Sequence, residues 1–161
     1  AVTRATAEQH DLRVIGDLRR VPGLSLAADP EFFARAEWTR MRDLYGLAEA
    51  EPRSMDSTFM YDAVRNGEVD AITAYTTDGR IAAYDLVILR DPLAALPPYD
   101  AMVLLSAEAA NRPAVTREIS PLINAIGADA MREANAAVDL ERGSVREAAD
   151  RLEAALGSPS R

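Results

Sequence analysis

Two tyrosines stand where predicted strands give way to loops. Tyr75 follows the apolar run of residues 69–73 and precedes the turn signal Asp78-Gly79, while Tyr99 follows the rigid pair Pro97-Pro98. Loops after strands commonly present ligand-contacting side chains in α/β folds. Two tyrosine faces could enclose a quaternary ammonium, which donates no hydrogen bond and is recognised by ring quadrupoles and shape. On the pattern alone, a structural role for both rings is equally open.

Arg35 could bind the carboxylate of a ligand that also carries a quaternary ammonium. It follows the strand predicted at residues 24–28 and lies in the segment leading into a helix. A planar guanidinium binds a small carboxylate through two parallel hydrogen bonds. The alternative is a surface ion pair with Glu31 or Glu37, a kind of contact that contributes little to stability.

Most catalytic chemistries lack their residues in this sequence. All 18 basic residues are arginine, which excludes a Schiff-base or P-loop lysine, and cysteine is absent, which excludes thiol nucleophiles and zinc fingers. The single histidine, His10, lies in a polar segment and is predicted to be a solvated side chain. No Walker, Gly-x-Gly-x-x-Gly or Gly-x-Ser-x-Gly motif occurs. The sequence predicts a non-enzyme without catalytic residues, metal or cofactor.

Composition and net charge limit the kinds of partner that the chain can bind. The 161 residues are 48% apolar, enough for the core of one domain or two small lobes. A net charge of −8 argues against binding nucleic acid or an anionic membrane surface. No apolar run approaches the roughly 20 residues that span a bilayer, and residues 1–8 lack the apolar core of a signal peptide.

The elements that must position Arg35 and Tyr75 are predicted from caps and periodicity. Asp29 with Pro30 begins a helix that continues to Gly46, and Ser54 or Asp56 begins a second helix that ends at Asn66-Gly67. The predicted core residues of these helices share helical spacing or aromatic character: Phe32, Phe33, Trp38, Met41, Leu44, Tyr45, Met55, Phe59, Met60, Tyr61, Ala63 and Val64.

After Tyr99 the pattern is helical throughout. Helices are predicted at residues 106–111, 113–126, 128–136 and 144–156, with Gly157 as a stop and residues 158–161 as a frayed end. Strands alternate with helices only in the first half, which predicts an α/β fold.

The chain resembles the substrate-binding proteins of osmoprotectant ABC importers, those for glycine betaine, choline and carnitine. The resemblance covers nearly the whole chain, from about residue 1 to residue 157. It is strongest in three runs: Ala74-Tyr75-Thr76-Thr77-Asp78-Gly79-Arg80-Ile81, Tyr84-Asp85-Leu86-Val87-Ile88-Leu89 and Pro97-Pro98-Tyr99-Asp100. It extends upstream through Glu31-Phe32-Phe33-Ala34-Arg35 and Tyr61-Asp62-Ala63, and downstream it includes Asn135 and Val138-Asp139.

This resemblance implies a two-lobed, type II periplasmic-binding-protein fold with ligand held between the lobes. By position, Tyr75 and Tyr99 would be cage tyrosines and Arg35 the carboxylate-binding arginine. The implied protein is extracytoplasmic, either periplasmic or on the cell surface, and presents a quaternary amine to an ABC permease without performing chemistry.

The resemblance also implies an incomplete fold. Residues 1–88 would form the second lobe, and residues 89–161 would be a mainly helical return segment towards a first lobe that is largely missing. Tyr75 and Tyr99 would then face each other from opposite lobes. The apolar stripe of Val115, Ile119, Leu122 and Ile126 would lack a sheet partner, which predicts self-association or repacking of these helices. The alternative function is a structural or interaction lobe that has lost or weakened ligand binding and self-associates.

Overall fold

The computed structural model describes residues 1–156 of the chain, with strands and helices up to residue 87 and helices and turns after it. Its strands are β1 (Val2–Thr3), β2 (Ser25–Ala28), β3 (Glu51–Ser54), β4 (Ala71–Ile72) and β5 (Leu86–Val87). Its helices are α1 (Arg4–His10), α2 (Pro30–Ala34), α3 (Ala36–Tyr45), α4 (Ser57–Arg65), α5 (Arg80–Ala83), α6 (Ala107–Ala110), α7 (Pro113–Ile119), α8 (Ala128–Asp139) and α9 (Val145–Leu156). The segments Ile15–Arg20 and Ser120–Leu122 are 3₁₀ turns.

A parallel sheet of three strands, in the order β3-β2-β4, forms the centre of the first half. Hydrogen bonds at its base fix the register of β2 against β4, since the backbone N–H and the hydroxyl of Ser25 both donate to Asp70 Oδ2, at 2.8 and 2.7 Å. Strands β1 and β5 form a separate antiparallel pair. The predicted α/β class is confirmed.

The order of the strands determines which loops meet. The chain runs from β2 to β3 on one side and then crosses to β4 on the other side of β2. The loops that follow β2 and β4 therefore emerge at the same edge, on either side of a topological switch point, where open α/β sheets bind ligands. Arg35 follows β2, and Tyr75 follows β4.

Two buried clusters hold helices to the sheet. One contains Trp38, Met41 and Tyr45 of α3 together with Leu26 of β2. The other contains Met60, Tyr61 and Val64 of α4 together with Ile72 of β4. The helical stripes predicted for α3 and α4 are therefore largely confirmed.

Several local predictions are wrong. The single helix expected from Pro30 to Gly46 is two helices that meet at Arg35, whose backbone is extended (φ −86°, ψ 156°). Leu44 is exposed, and Phe59 is 68% exposed. At about 100° per residue, Phe59 lies roughly 120° from the centre of the α4 face that carries Met60 and Val64. Strand β3 was not predicted, because Glu51-Pro52-Arg53-Ser54 is an exposed edge strand without an apolar residue.

The C-terminal helices follow the prediction with shifted ends. Helix α7 ends at Ile119, and the 3₁₀ turn that follows contains Pro121, which lacks the N–H that a continuing helix needs. The predicted stop at Gly157 and the tail at residues 158–161 lie outside the described residues. Among residues 1–156, no helix combines the length and apolar character required to cross a bilayer.

Helix α8 packs on the loop that carries Tyr75. Arg132 Nε donates to the Thr76 carbonyl at 2.7 Å, and Asn135 Nδ2 donates to the Thr77 carbonyl at 2.8 Å. Gly79 lies directly against Ala136 of α8, where a Cβ atom would be 2.5 Å from the Ala136 backbone nitrogen. The C-terminal helices thus help to fix the loop after β4.

Gly79→Ala tests this close packing. Its backbone angle, φ −62°, is ordinary for alanine, so the substitution acts through the overlap with Ala136. We expect urea unfolding to show a loss of about 1–3 kcal/mol, typical of an overpacked contact. Gly127→Ala is the matched control, because a Cβ there meets no heavy atom within 4 Å and the residue only precedes α8. Equal stability of the two variants would contradict the packing.

Candidate functional site

The rings of Tyr75 and Tyr99 meet at the edge of the sheet. Their centroids are 6.1 Å apart, and their planes are inclined at 81°. Both side chains remain largely accessible, at 66% and 54% exposure. Two nearly perpendicular aromatic faces form an open corner, in which one cation can lie within about 6 Å of both rings.

Arg35 joins this corner through the hydroxyl of Tyr99. Its Nη1 donates to Tyr99 Oη at 3.3 Å, and its Nη2 pairs with Glu31 Oε1 at 2.6 Å. The hydrogen bond that Arg35 donates to Glu31 is the main cause that raises the pKa of Arg35, so the guanidinium is charged at any relevant pH. The Tyr99 hydroxyl also donates to Glu37 Oε1 at 3.4 Å. The structure therefore contains the ion pair with Glu31 and, through the same side chain, a contact with Tyr99.

A buried tyrosine supports the loop that presents Tyr75. Tyr61 of α4 is 2% exposed and lies in the buried cluster that packs α4 against β4. Burial, reinforced by Asp78, raises the pKa of Tyr61 well above its usual range, so the hydroxyl stays protonated and can donate. Arg80 lies over the Tyr61 ring at 5.3 Å and pairs with Asp78 at 3.3 Å. The buried ring predicted for Tyr61 is confirmed.

A second buried tyrosine supports the segment that leads to Tyr99. The Tyr45 hydroxyl donates to Asp91 Oδ1 and accepts from the Leu93 N–H at 2.9 Å. Asp91 also accepts the N–H groups of Ala95 at 3.0 Å and Leu96 at 2.8 Å. This set of bonds fixes residues 91–96, directly before Pro97-Pro98.

The charge of Asp91 follows from the same contacts. Burial raises the pKa of Asp91, but the hydrogen bonds from Leu96, Tyr45 and Ala95 outweigh burial, so the pKa lies below its ordinary value. The ionised carboxylate thus stabilises the loop around it. Sequence analysis missed Asp91, although Asp91-Pro92 is a turn-initiating pair that could have drawn attention to it.

Residues 1–156 give little support for a metal site or for a histidine-based site. No group of three histidine, cysteine, aspartate or glutamate residues there could hold a metal ion. His10 ends α1 and is partly exposed. The exposed Tyr75-Tyr99 corner with Arg35 beside it is suited to binding a small ligand.

Comparison with known proteins identifies the family. Residues 1–152 match the family model OpuAC, the substrate-binding domain of ABC-type glycine betaine transport systems. The carnitine transport binding protein OpuCC of Listeria monocytogenes is 28% identical over 142 residues, which is 86% of this chain and 46% of that protein. A glycine-betaine-binding protein of Pseudomonas aeruginosa is 31% identical over 156 residues, covering 88% of this chain and 50% of that protein.

A solved structure agrees with these relatives. A crystal structure titled as a glycine betaine/carnitine/choline ABC transporter matches with a TM-score of 0.82 and 29% identity, covering 93% of this chain and 56% of that chain. The chain therefore spans about half the length of the relatives it matches.

These matches confirm the resemblance found in the sequence. The fold matches about half of a periplasmic binding protein of this kind. Proteins of this kind bind substrates for transporters and are not enzymes, as predicted. The chain belongs to the family of substrate-binding domains of ABC-type glycine betaine transport systems.

Proposed function

We propose that this chain is the substrate-binding component of an ABC importer, or part of one, and that Tyr75, Tyr99 and Arg35 hold a quaternary amine. Glycine betaine, choline and carnitine are the ligands of this class. The observation that carries the proposal is the perpendicular pair of exposed tyrosine rings with Arg35 bonded to one of them. Family membership supports the same ligand class.

Each group would contact a different part of the ligand. A trimethylammonium group has a spread positive charge and no N–H, so it gains from aromatic faces rather than from hydrogen-bond acceptors. The guanidinium of Arg35 would bind the carboxylate of glycine betaine or carnitine. Choline has no carboxylate and would depend on the tyrosines alone.

The proposed partner is an ABC permease, and the proposed location is extracytoplasmic, in the periplasm or on the cell surface. Family membership supports both. In this arrangement the chain delivers its ligand and performs no reaction, which fits a site that carries aromatic and cationic groups beside solvent-accessible carboxylates.

We also propose that residues 1–88 form one lobe and that residues 89–161 return towards a second lobe. An exposed apolar surface supports this division, because Met102, Val103 and Leu104 are 89%, 64% and 96% exposed, and Ile123 is 68% exposed. Three adjacent apolar side chains in water are unfavourable, so this surface would be covered by the other half of the fold. On its own, the 161-residue chain would self-associate through it.

The alternative function, an interaction lobe without ligand binding, is less favoured. Tyr75, Tyr99 and Arg35 lie in one contact network, and buried side chains support both loops that carry the tyrosines. The contact among Tyr75, Tyr99 and Arg35 is explained by ligand binding, whereas an interaction lobe gives no reason for it.

Calorimetry with two ligands tests the binding proposal. Tyr75→Ala should weaken both glycine betaine and choline by about 2- to 30-fold, the range of a cation–π contact, whereas Tyr75→Phe should bind nearly as the parent does. Arg35→Ala should weaken glycine betaine by about tenfold through the lost charge-assisted hydrogen bond and should not weaken choline, which has no carboxylate.

Tyr84→Ala is the matched control, since Tyr84 stacks with Arg65 at 4.8 Å and lies outside the proposed site. Fluorescence of the buried Trp38 reports whether each variant remains folded. Absence of binding heat at millimolar ligand, or equal losses in Tyr75→Ala and Tyr84→Ala, would refute the proposal.

Light scattering after size exclusion tests the proposed apolar surface. The parent chain should form dimers or larger species, and Leu104→Glu should shift it towards monomer, because a charge there opposes burial. Leu44→Glu is the control, since Leu44 is an exposed leucine on α3 (47%) and does not belong to the apolar set of Met102, Val103, Leu104 and Ile123. A parent chain that is monomeric at high concentration would contradict self-association.

A further inference from the structure

We propose that Glu31 sets the charge selectivity of the site by competing with the ligand carboxylate for Arg35. This inference rests on the proposed function. It assigns to Glu31 a role in choosing between zwitterionic ligands, such as glycine betaine, and purely cationic ones, such as choline.

The contact geometry places Glu31 where a ligand carboxylate would bind. Glu31 belongs to the first turn of α2, and Arg35 lies immediately after that helix, four positions further along the chain. The pair is short, with Glu31 Oε1 and Arg35 Nη2 at 2.6 Å, and Arg35 Nη1 is engaged by the Tyr99 hydroxyl at 3.3 Å. Both terminal nitrogens of the guanidinium thus have partners within the protein.

Bidentate recognition brings ligand and Glu31 into conflict. A carboxylate binds a guanidinium in pairs, either through Nη1 and Nη2 or through Nε and Nη2. Both arrangements use Nη2. A ligand carboxylate must therefore displace Glu31 or lie beside it and experience its negative charge.

The net charge around Arg35 also disfavours a ligand carboxylate. Glu37 reaches the Tyr99 hydroxyl at 3.4 Å, so Glu31, Glu37 and Arg35 together leave one net negative charge beside the tyrosine rings. This charge favours the ammonium of every ligand in the class but opposes a carboxylate. The negative charge strengthens the binding of choline, which is purely cationic. In glycine betaine it attracts the ammonium group but repels the carboxylate.

The competition should be modest, because the ion pair is open to water. The side chain of Glu31 is 74% exposed and that of Arg35 is 37% exposed. Exposed ion pairs correspond to a change of about two- to fivefold in an equilibrium constant. Glu31 would therefore shift the preference of the site without preventing zwitterions from binding.

Calorimetry of Glu31→Gln with glycine betaine and choline tests the proposal. Glutamine retains the length of the side chain and removes its charge. The ratio of glycine betaine affinity to choline affinity should rise about two- to fivefold, because glycine betaine binds more tightly and choline does not. Glu31→Ala should give the same direction of change, which separates the lost charge from any hydrogen bond made by glutamine.

Glu37→Gln is the control for a general loss of negative charge. Glu37 contacts Tyr99 rather than Arg35, so its removal should change the ratio less than Glu31→Gln does. An unchanged ratio in Glu31→Gln, or an equal change in Glu37→Gln, overturns the role of Glu31 while ligand binding itself persists. Failure of the parent chain and every variant to bind either ligand would instead refute the proposed function.

Discussion

The parallel pairing of β2 with β4 is the constraint on which the site depends. Leu26 lies opposite Ala71 and Ala27 opposite Ile72, and Ser25 with Asp70 locks this register at the base of the strands. A slip by one residue would turn every buried side chain of β4 to the opposite face of the sheet. The register therefore determines that the Arg35 and Tyr75 segments leave the sheet side by side.

Two buried tyrosines and two exposed tyrosines have different roles in the site. Tyr61 and Tyr45 are buried. Arg80 lies over the Tyr61 ring and pairs with Asp78 in the loop after β4, and the Tyr45 hydroxyl donates to Asp91 in the loop after β5. Tyr75 and Tyr99 are exposed and touch each other through their rings. The contacts of Tyr61 and Tyr45 order the loops. Tyr75 and Tyr99 can therefore remain exposed and still keep a defined geometry.

Much of the arrangement could be predicted from the sequence, because local chemistry determines it. Asp29 caps α2 through the Phe32 N–H, with Pro30 at the first helical position, as the pattern indicates. Burial of the Tyr45 and Tyr61 rings was expected because both residues lie on predicted helices. The proximity of Tyr75, Tyr99 and Arg35 was expected only from the family resemblance, because the three residues are far apart in the chain.

Other features depend on tertiary contacts that no local pattern reveals. The helix break at Arg35 lacks any proline or glycine to mark it. Strand β3 has neither apolar residues nor alternation, and its hydrogen bonds to β2 define it. Asp91 resembles an ordinary turn aspartate until Tyr45, distant in sequence, is placed against it.

The most direct test of the central claim is to locate the ammonium group by NMR. In a sample with labelled tyrosine rings, the methyl protons of bound glycine betaine should show nuclear Overhauser effects to both Tyr75 and Tyr99. Saturable binding with contacts to neither ring would contradict the account, because the ligand would then occupy some other part of the protein.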